Sequence, residues 1–267
     1  MTSSLKWIYV LTILQAISGL AAPASIQTGS GFTGVDSANN IPLRILPLGA
    51  SITWGQNSPT GNGYRLHLRT QIVSAGWLVD MVGSKKNGDM IDNDVEAHPG
   101  DTITQVAAAS QNSYVYKPNI VLINAGTNDC RLNIGISSAG ERMRSLIQGL
   151  LDAADPNAKP LIVLSTLLPS GQPEIARNSP SVNAQYRQLV QDMRNQGVKI
   201  VLAEMNGANQ RIQYPADYTN PTTGQVDDAH PNDEGYRKMA AIWYEAIVGA
   251  AGQELVSSSP AAILSTP

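Results

Sequence analysis

Five short apolar runs recur along the chain, at residues 43–48, 78–83, 119–124, 160–168 and 198–204, and a stretch with helical spacing follows each one. Runs of this length are too short for buried helices but suit strands covered on both faces. Sequential parallel strands need a crossover between them, and a helix is the usual one. The alternation therefore predicts an α/β fold: a five-stranded parallel sheet with helices on both faces. With 267 residues, 42% of them hydrophobic, the chain can bury one large core. It has no internal repeat and no interdomain linker, so a single domain is expected over residues 41–251.

The helices are predicted over 64–74, 102–113, 137–154 and 180–196, with a last one capped by Asn232 or Asp233 and running through Val248. Between them, residues 85–98 carry Asp89, Asp92, Asp94 and Glu96 and read as a solvated loop. Calcium-loop spacing fails there, since Ala97 and Ile103 stand where glycine and glutamate are needed.

The two ends differ from the middle. Lys6 precedes an apolar run from Trp7 to Leu20 and then Ala21-Ala22-Pro23-Ala24, the layout of a secretory signal over residues 1–24. A mature N-terminal arm is expected over 25–40. A glycine pattern inside it, from Gly29 to Gly34, has neither a strand before it nor a helix after it, so it is no dinucleotide site. Residues 252–267, with Ser257-Ser258-Ser259-Pro260, read as a flexible tail. Cys130 is the only cysteine, which rules out an internal disulfide and points to a buried free thiol.

Charge narrows the partners. The net charge is -3 with no basic run, which argues against nucleic acid and against an anionic membrane surface. No His, Asp and Glu cluster has metal-ligand spacing, and no cofactor is expected. A monomer is expected.

The chemistry gathers at strand ends. Ser51 follows the first strand, and ligands of open α/β sheets bind at the carboxyl ends of strands. A serine becomes a nucleophile only with a base beside it and donors for the oxyanion. Asp227 stands three residues before His230 in the loop ahead of the last helix, a spacing that lets the carboxylate fix the histidine tautomer. Asn128, past the third strand, can offer its side-chain amide, and Gly100 and Ser51 can offer backbone N–H groups. The loops after the first and third strands flank the switch point of a doubly wound sheet, so Ser51 and Asn128 are expected to meet. His67 reads as an ordinary helix histidine. Trp54 and Tyr64 are candidate substrate-binding residues.

Four blocks, Gly49-Ala50-Ser51-Ile52-Thr53, Gly100, Gly126-Thr127-Asn128-Asp129 and Asp227-x-x-His230, in this order, resemble the SGNH hydrolase (GDSL-type esterase/lipase) superfamily. Within it the chain looks most like carbohydrate esterase family 3, the acetylxylan esterases. The stretches Leu43-Arg44-Ile45-Leu46-Pro47-Leu48-Gly49, Asn62-Gly63-Tyr64-Arg65, Val79-Asp80-Met81-Val82-Gly83-Ser84 and His98-Pro99-Gly100-Asp101-Thr102-Ile103 carry that likeness. The resemblance implies a flavodoxin-like three-layer α/β/α sandwich and a metal-free serine esterase. It assigns Ser51 as nucleophile, His230 as base, Asp227 as its partner, and Ser51, Gly100 and Asn128 as oxyanion donors. It implies a secreted enzyme that takes small acyl groups, acetyl first, from a plant polysaccharide such as xylan. The alternatives are another short-chain ester or glycan, or a carbohydrate-binding protein with weakened turnover. Two positions depart from the family: Ala50 stands where aspartate is usual, and Pro99-Gly100-Asp101 stands where Ser-Gly-Trp is common.

Overall fold

The computed structural model describes residues 41–258. The expected signal segment, the N-terminal arm and residues 259–267 lie outside them. The central strand is β1 (Leu43–Gly49). On one side of it follow β5 (Ile120–Asn124), β6 (Leu161–Ser165) and β7 (Ile200–Ala203), each parallel to its neighbour. On the other side, β2 (Val79–Met81) pairs with the first half of β1, in register Leu43↔Val79 to Ile45↔Met81. These five are the expected strands, in flavodoxin-like order.

The sheet is nonetheless seven-stranded, which corrects the expected five. The segment read as a solvated loop forms a hairpin of β3 (Lys85–Lys86) and β4 (Asp94–Ala97). β4 then docks parallel to the end of β1, at Leu48↔Glu96 and Gly49↔Ala97. Its acidic composition hid it. Glu96 is fully buried, and its carboxylate accepts from Ser113 Oγ at 2.5 Å, His98 Nε2 at 2.8 Å and Ser84 N at 3.2 Å. A carboxylate so satisfied can occupy a core position.

Pro47 explains how two strands share one flank of β1. Odd residues of β1 face that flank, since Ile45 O accepts from Val82 N and Gly49 O accepts from His98 N. Pro47 falls between the β2 and β4 registers, where its missing N–H has nothing to meet.

Side chains alternate strictly across the sheet. Leu43, Ile45, Ile120, Leu122, Leu161 and Val163 face one layer, formed by α2 (Tyr64–Ser74) and α7 (Asp233–Ala251). Leu46, Leu48, Val121, Ile123, Ile162 and Leu164 face the other, formed by α3 (Ile103–Ser110), α5 (Ala139–Ala153) and α6 (Pro173–Asn195). The first layer is rich in aromatics (Tyr64, Tyr218, Tyr236, Trp243), whereas the second is mainly aliphatic.

Three boundaries differ from the sequence reading. α3 stops at Ser110 and passes into a 3-10 turn over Gln111–Tyr116. α6 begins at Pro173 and accommodates Pro180 internally, with one backbone bond fewer. The described part of the expected loose tail is docked: Val256 is buried, and Ser257 O accepts from Asn119 Nδ2 at 2.9 Å. No helix of the described residues is long and apolar enough to cross a membrane.

Candidate active site

β1 delivers Ser51 to the carboxyl edge of the sheet. Ala50 is the N-cap of the one-turn helix α1 (Ser51–Trp54), so the Ser51 N–H sits in the unpaired first turn. Gly49 is needed here for closeness more than for flexibility. A Cβ on it would lie 2.4 Å from both Asn124 O and Thr53 Oγ1.

The histidine arrives from 179 residues away, yet its Nε2 lies 2.9 Å from Ser51 Oγ. Its Nδ1 lies 2.9 Å from Asp227 Oδ2 and 3.0 Å from Oδ1. Asp227 is itself fixed by the turn, as its Oδ1 accepts from the backbone N–H of Ala229 and of His230, each at 2.9 Å. Burial pushes the Asp227 carboxyl up, but the hydrogen bonds from His230 and the two backbone donors outweigh it and hold it below the ordinary carboxylate range. The carboxylate therefore stays charged and holds a proton on Nδ1, which leaves Nε2 free to accept from Ser51. Asn232 N-caps α7, accepting from Gly235 N at 3.0 Å, and so fixes where the loop ends.

Residues the sequence reading passed over hold this loop from two sides. Asn57 Nδ2 donates to His230 O at 2.9 Å. Tyr214 Oη donates to Asp228 Oδ1 at 2.6 Å, and Gly171 N to Asp228 O at 2.9 Å. Below the Ser51 turn, fully buried Arg65 donates to the carbonyls of Trp54, Gly61, Asn87 and Asn93. Polar residues after a turn and an arginine inside a helix carry no pattern that predicts such partners.

Asn128 lies in the short helix α4 (Thr127–Leu132) and shares a cleft with Ser51, Gly126 and Thr127. The cleft holds about 190 Å³, open solvent included. Asn128 Nδ2 donates to Asp101 O at 2.9 Å, which joins it to the turn that carries Gly100. That turn runs from His98 to Asp101, closed by Asp101 N donating to His98 O at 3.1 Å. Pro99 and Gly100 take its central places, and Gly100 has φ +96°, as a type II turn requires. Asp129, fully buried, anchors the neighbourhood: its Oδ2 accepts from Ile103 N at 2.9 Å and its Oδ1 from Arg142 Nη2 at 3.0 Å. The loops are thus tied without an aspartate at position 50, where the Ala50 side chain is simply buried.

The remaining sequence candidates separate. Trp54 is half-buried, three residues after Ser51. Tyr64 is corrected: it is fully buried in the aromatic layer, its ring 5.8 Å from that of Trp243, and no substrate can reach it. Its aromatic character and position after a glycine loop suited a binding wall, but its helix turns it inward. Cys130 is buried, and burial, with a smaller push from Asp129, raises its thiol to about 12, which keeps it protonated. His67 is half-buried on α2, where burial lowers its pKa.

A mostly parallel sheet with helices on both faces, bearing at its carboxyl edge a serine within hydrogen-bond reach of a carboxylate-held histidine, makes an α/β/α protein equipped as a serine hydrolase would be. The chain belongs to the GDSL-like Lipase/Acylhydrolase family, whose profile matches residues 48–238, and it is an ester hydrolase of that type. Among solved structures it is similar to a family 3 carbohydrate esterase from Clostridium thermocellum, with 26% identity, a TM-score of 0.67, and coverage of 81% of this chain and 100% of the other. It is also similar to a carbohydrate esterase family 3 structure from Talaromyces cellulolyticus, at 22% identity and a TM-score of 0.62, covering 79% and 99%. An acetyl esterase mutant with an acetate ion matches at 21% identity and a TM-score of 0.59, covering 79% and 99%. Among curated proteins no sequence matches.

Proposed function

We propose that this protein is a serine esterase that removes small acyl groups, acetyl above all, from a plant cell-wall polysaccharide such as acetylated xylan. The observation that carries the reading is the Ser51 Oγ–His230 Nε2 distance of 2.9 Å, with Asp227 at 2.9 Å on the other ring nitrogen. His230 takes the Ser51 proton as Oγ attacks the ester carbonyl. The oxyanion is held by the N–H groups of Ser51 and Gly100 and by the Asn128 amide. The carbon–oxygen bond to the sugar breaks, and the sugar oxygen leaves with the proton from His230. Water, deprotonated by His230, then releases the acid and restores Ser51.

The small cleft beside Ser51 favours a short acyl group, and the likeness to the Clostridium thermocellum carbohydrate esterase favours a sugar on the alcohol side. Half-buried Trp54, three residues after Ser51, is the candidate for lining an acyl or sugar subsite. The layout of residues 1–24 supports action outside the cell.

The test is acetate release from acetylated xylan by the protein and by its Ser51→Ala variant. Release by the parent alone supports both nucleophile and substrate. If only p-nitrophenyl acetate is cleaved, and through Ser51, the xylan assignment falls and the esterase stands. If neither is cleaved, a binding role replaces catalysis.

A further inference from the structure

Asn128 is proposed above as an oxyanion donor, yet an amide can serve only if its nitrogen, not its oxygen, faces the substrate. Two neighbours decide that. Asp101 O can only accept, and it stands 2.9 Å from Nδ2. Arg131 can only donate, and its Nε stands 3.3 Å from Oδ1. Rotating the amide by half a turn would set Oδ1 against a carbonyl and Nδ2 against a guanidinium. One Nδ2 hydrogen is spent on Asp101, which leaves the other for the cleft shared with Ser51.

Arg131 lies one turn after Asn128 on α4, where positions three apart are neighbours. Among the described residues it makes no ion pair, and Asn128 Oδ1 is its one hydrogen-bond partner, so no carboxylate neutralises it beside the oxyanion site. The helix that carries both is held at its far end, where Asn178 Nδ2 donates to Cys130 O at 2.9 Å and to Asn133 Oδ1 at 3.2 Å. The side chain is exposed, so packing gives no account of its placement.

We infer that Arg131 is a positioning residue for the ester hydrolysis: its guanidinium holds the Asn128 amide with its nitrogen toward the oxyanion and polarises that N–H. This rests on Asn128 acting as the proposed donor. A donor whose partner draws charge from its oxygen is the stronger donor, and the effect is felt only when the oxyanion forms. The loss therefore appears in kcat and not in KM.

The test is a double-mutant cycle with p-nitrophenyl acetate, using Arg131→Ala, Arg131→Lys, Asn128→Ala and the Asn128→Ala/Arg131→Ala pair. Arg131→Ala is expected to lower kcat by about threefold to tenfold, the range of one hydrogen bond, at unchanged KM and melting temperature. Arg131→Lys recovers part of the loss. In the Asn128→Ala background, removal of Arg131 costs nothing further. An equal loss in both backgrounds, a loss in KM alone, or full activity of Arg131→Ala would overturn the inference. Ser51→Ala, measured alongside, separates the two readings. An active Ser51→Ala variant removes the proposed mechanism itself, whereas a dead one with a fully active Arg131→Ala removes only this inference.

Discussion

The two walls of the cleft are built by different means. The Ser51–His230 wall joins residues 179 apart in sequence through a web of exposed and part-buried hydrogen bonds, from Asn57, Tyr214 and Gly171 onto the histidine loop. The Asn128 wall joins nearer segments through a buried charge, Asp129, which reaches the start of α3 and Arg142. The first wall leans on the aromatic layer of the core, the second on the aliphatic one. The difference teaches that the proposed nucleophile and the proposed oxyanion donor rest on separate supports, loop closure for one and a charged anchor for the other.

Mutations on each wall should therefore fail differently. The largest effect is expected from Ser51→Ala or His230→Ala, which should lower kcat for p-nitrophenyl acetate by about 10⁴-fold or more, as for a nucleophile or base elsewhere. Asn128→Ala should cost about 10²–10³ in kcat with little change in KM. Equal losses on the two walls would erase the distinction.

Asp129→Ala tests the anchor. Removing one partner of a buried ion pair usually costs about 3–5 kcal/mol. The lower end is expected, because Arg142 keeps the carbonyls of Gly135 and Ile134 and the Ser138 hydroxyl as acceptors. Thermal unfolding should show the loss. Asp227→Ala should leave the melting temperature closer to the parent, since its carboxylate is about one-third exposed at 32%.

Acid should reveal the buried carboxylate behind the Gly100 turn. Burial pushes Glu96 up, but hydrogen bonds from Ser113, Ser84 and His98 outweigh it, so its folded value lies below its unfolded one. Its contribution to stability is thus complete above the ordinary glutamate range and is lost as pH falls through the depressed folded value. Melting temperatures taken from neutral pH down to about 3 should decline less steeply for Glu96→Gln than for the parent. The smallest effect is expected from Tyr64→Phe, which should leave kcat/KM for acetylated xylan unchanged. A changed value would put the first wall in contact with the substrate through the core.

Periodicity carried most of the fold. Apolar runs such as 119–124 and the helical spacing of 137–154 report burial directly, and burial is what the sheet and its layers require. β4 escaped because Glu96 is buried by virtue of three partners, of which Ser84 and Ser113 come from other segments of the chain. In the site, Ser51, Asn128, Asp227 and His230 stood out because spacing and strand ends place them. Asn57, Arg65 and Arg131 did not, because each acts through a neighbour's backbone or amide, which only the folded chain supplies. Tyr64 shows the converse: a residue type suited to a sugar, turned inward by its helix.

Pro47 has a consequence beyond its own strand. By withholding one donor it leaves a vacant berth on the flank of β1, below which β2 ends and above which β4 can moor. The Gly100 turn begins one residue after β4 ends, so a site built on donated hydrogen bonds takes part of its address from a hydrogen bond that is never offered.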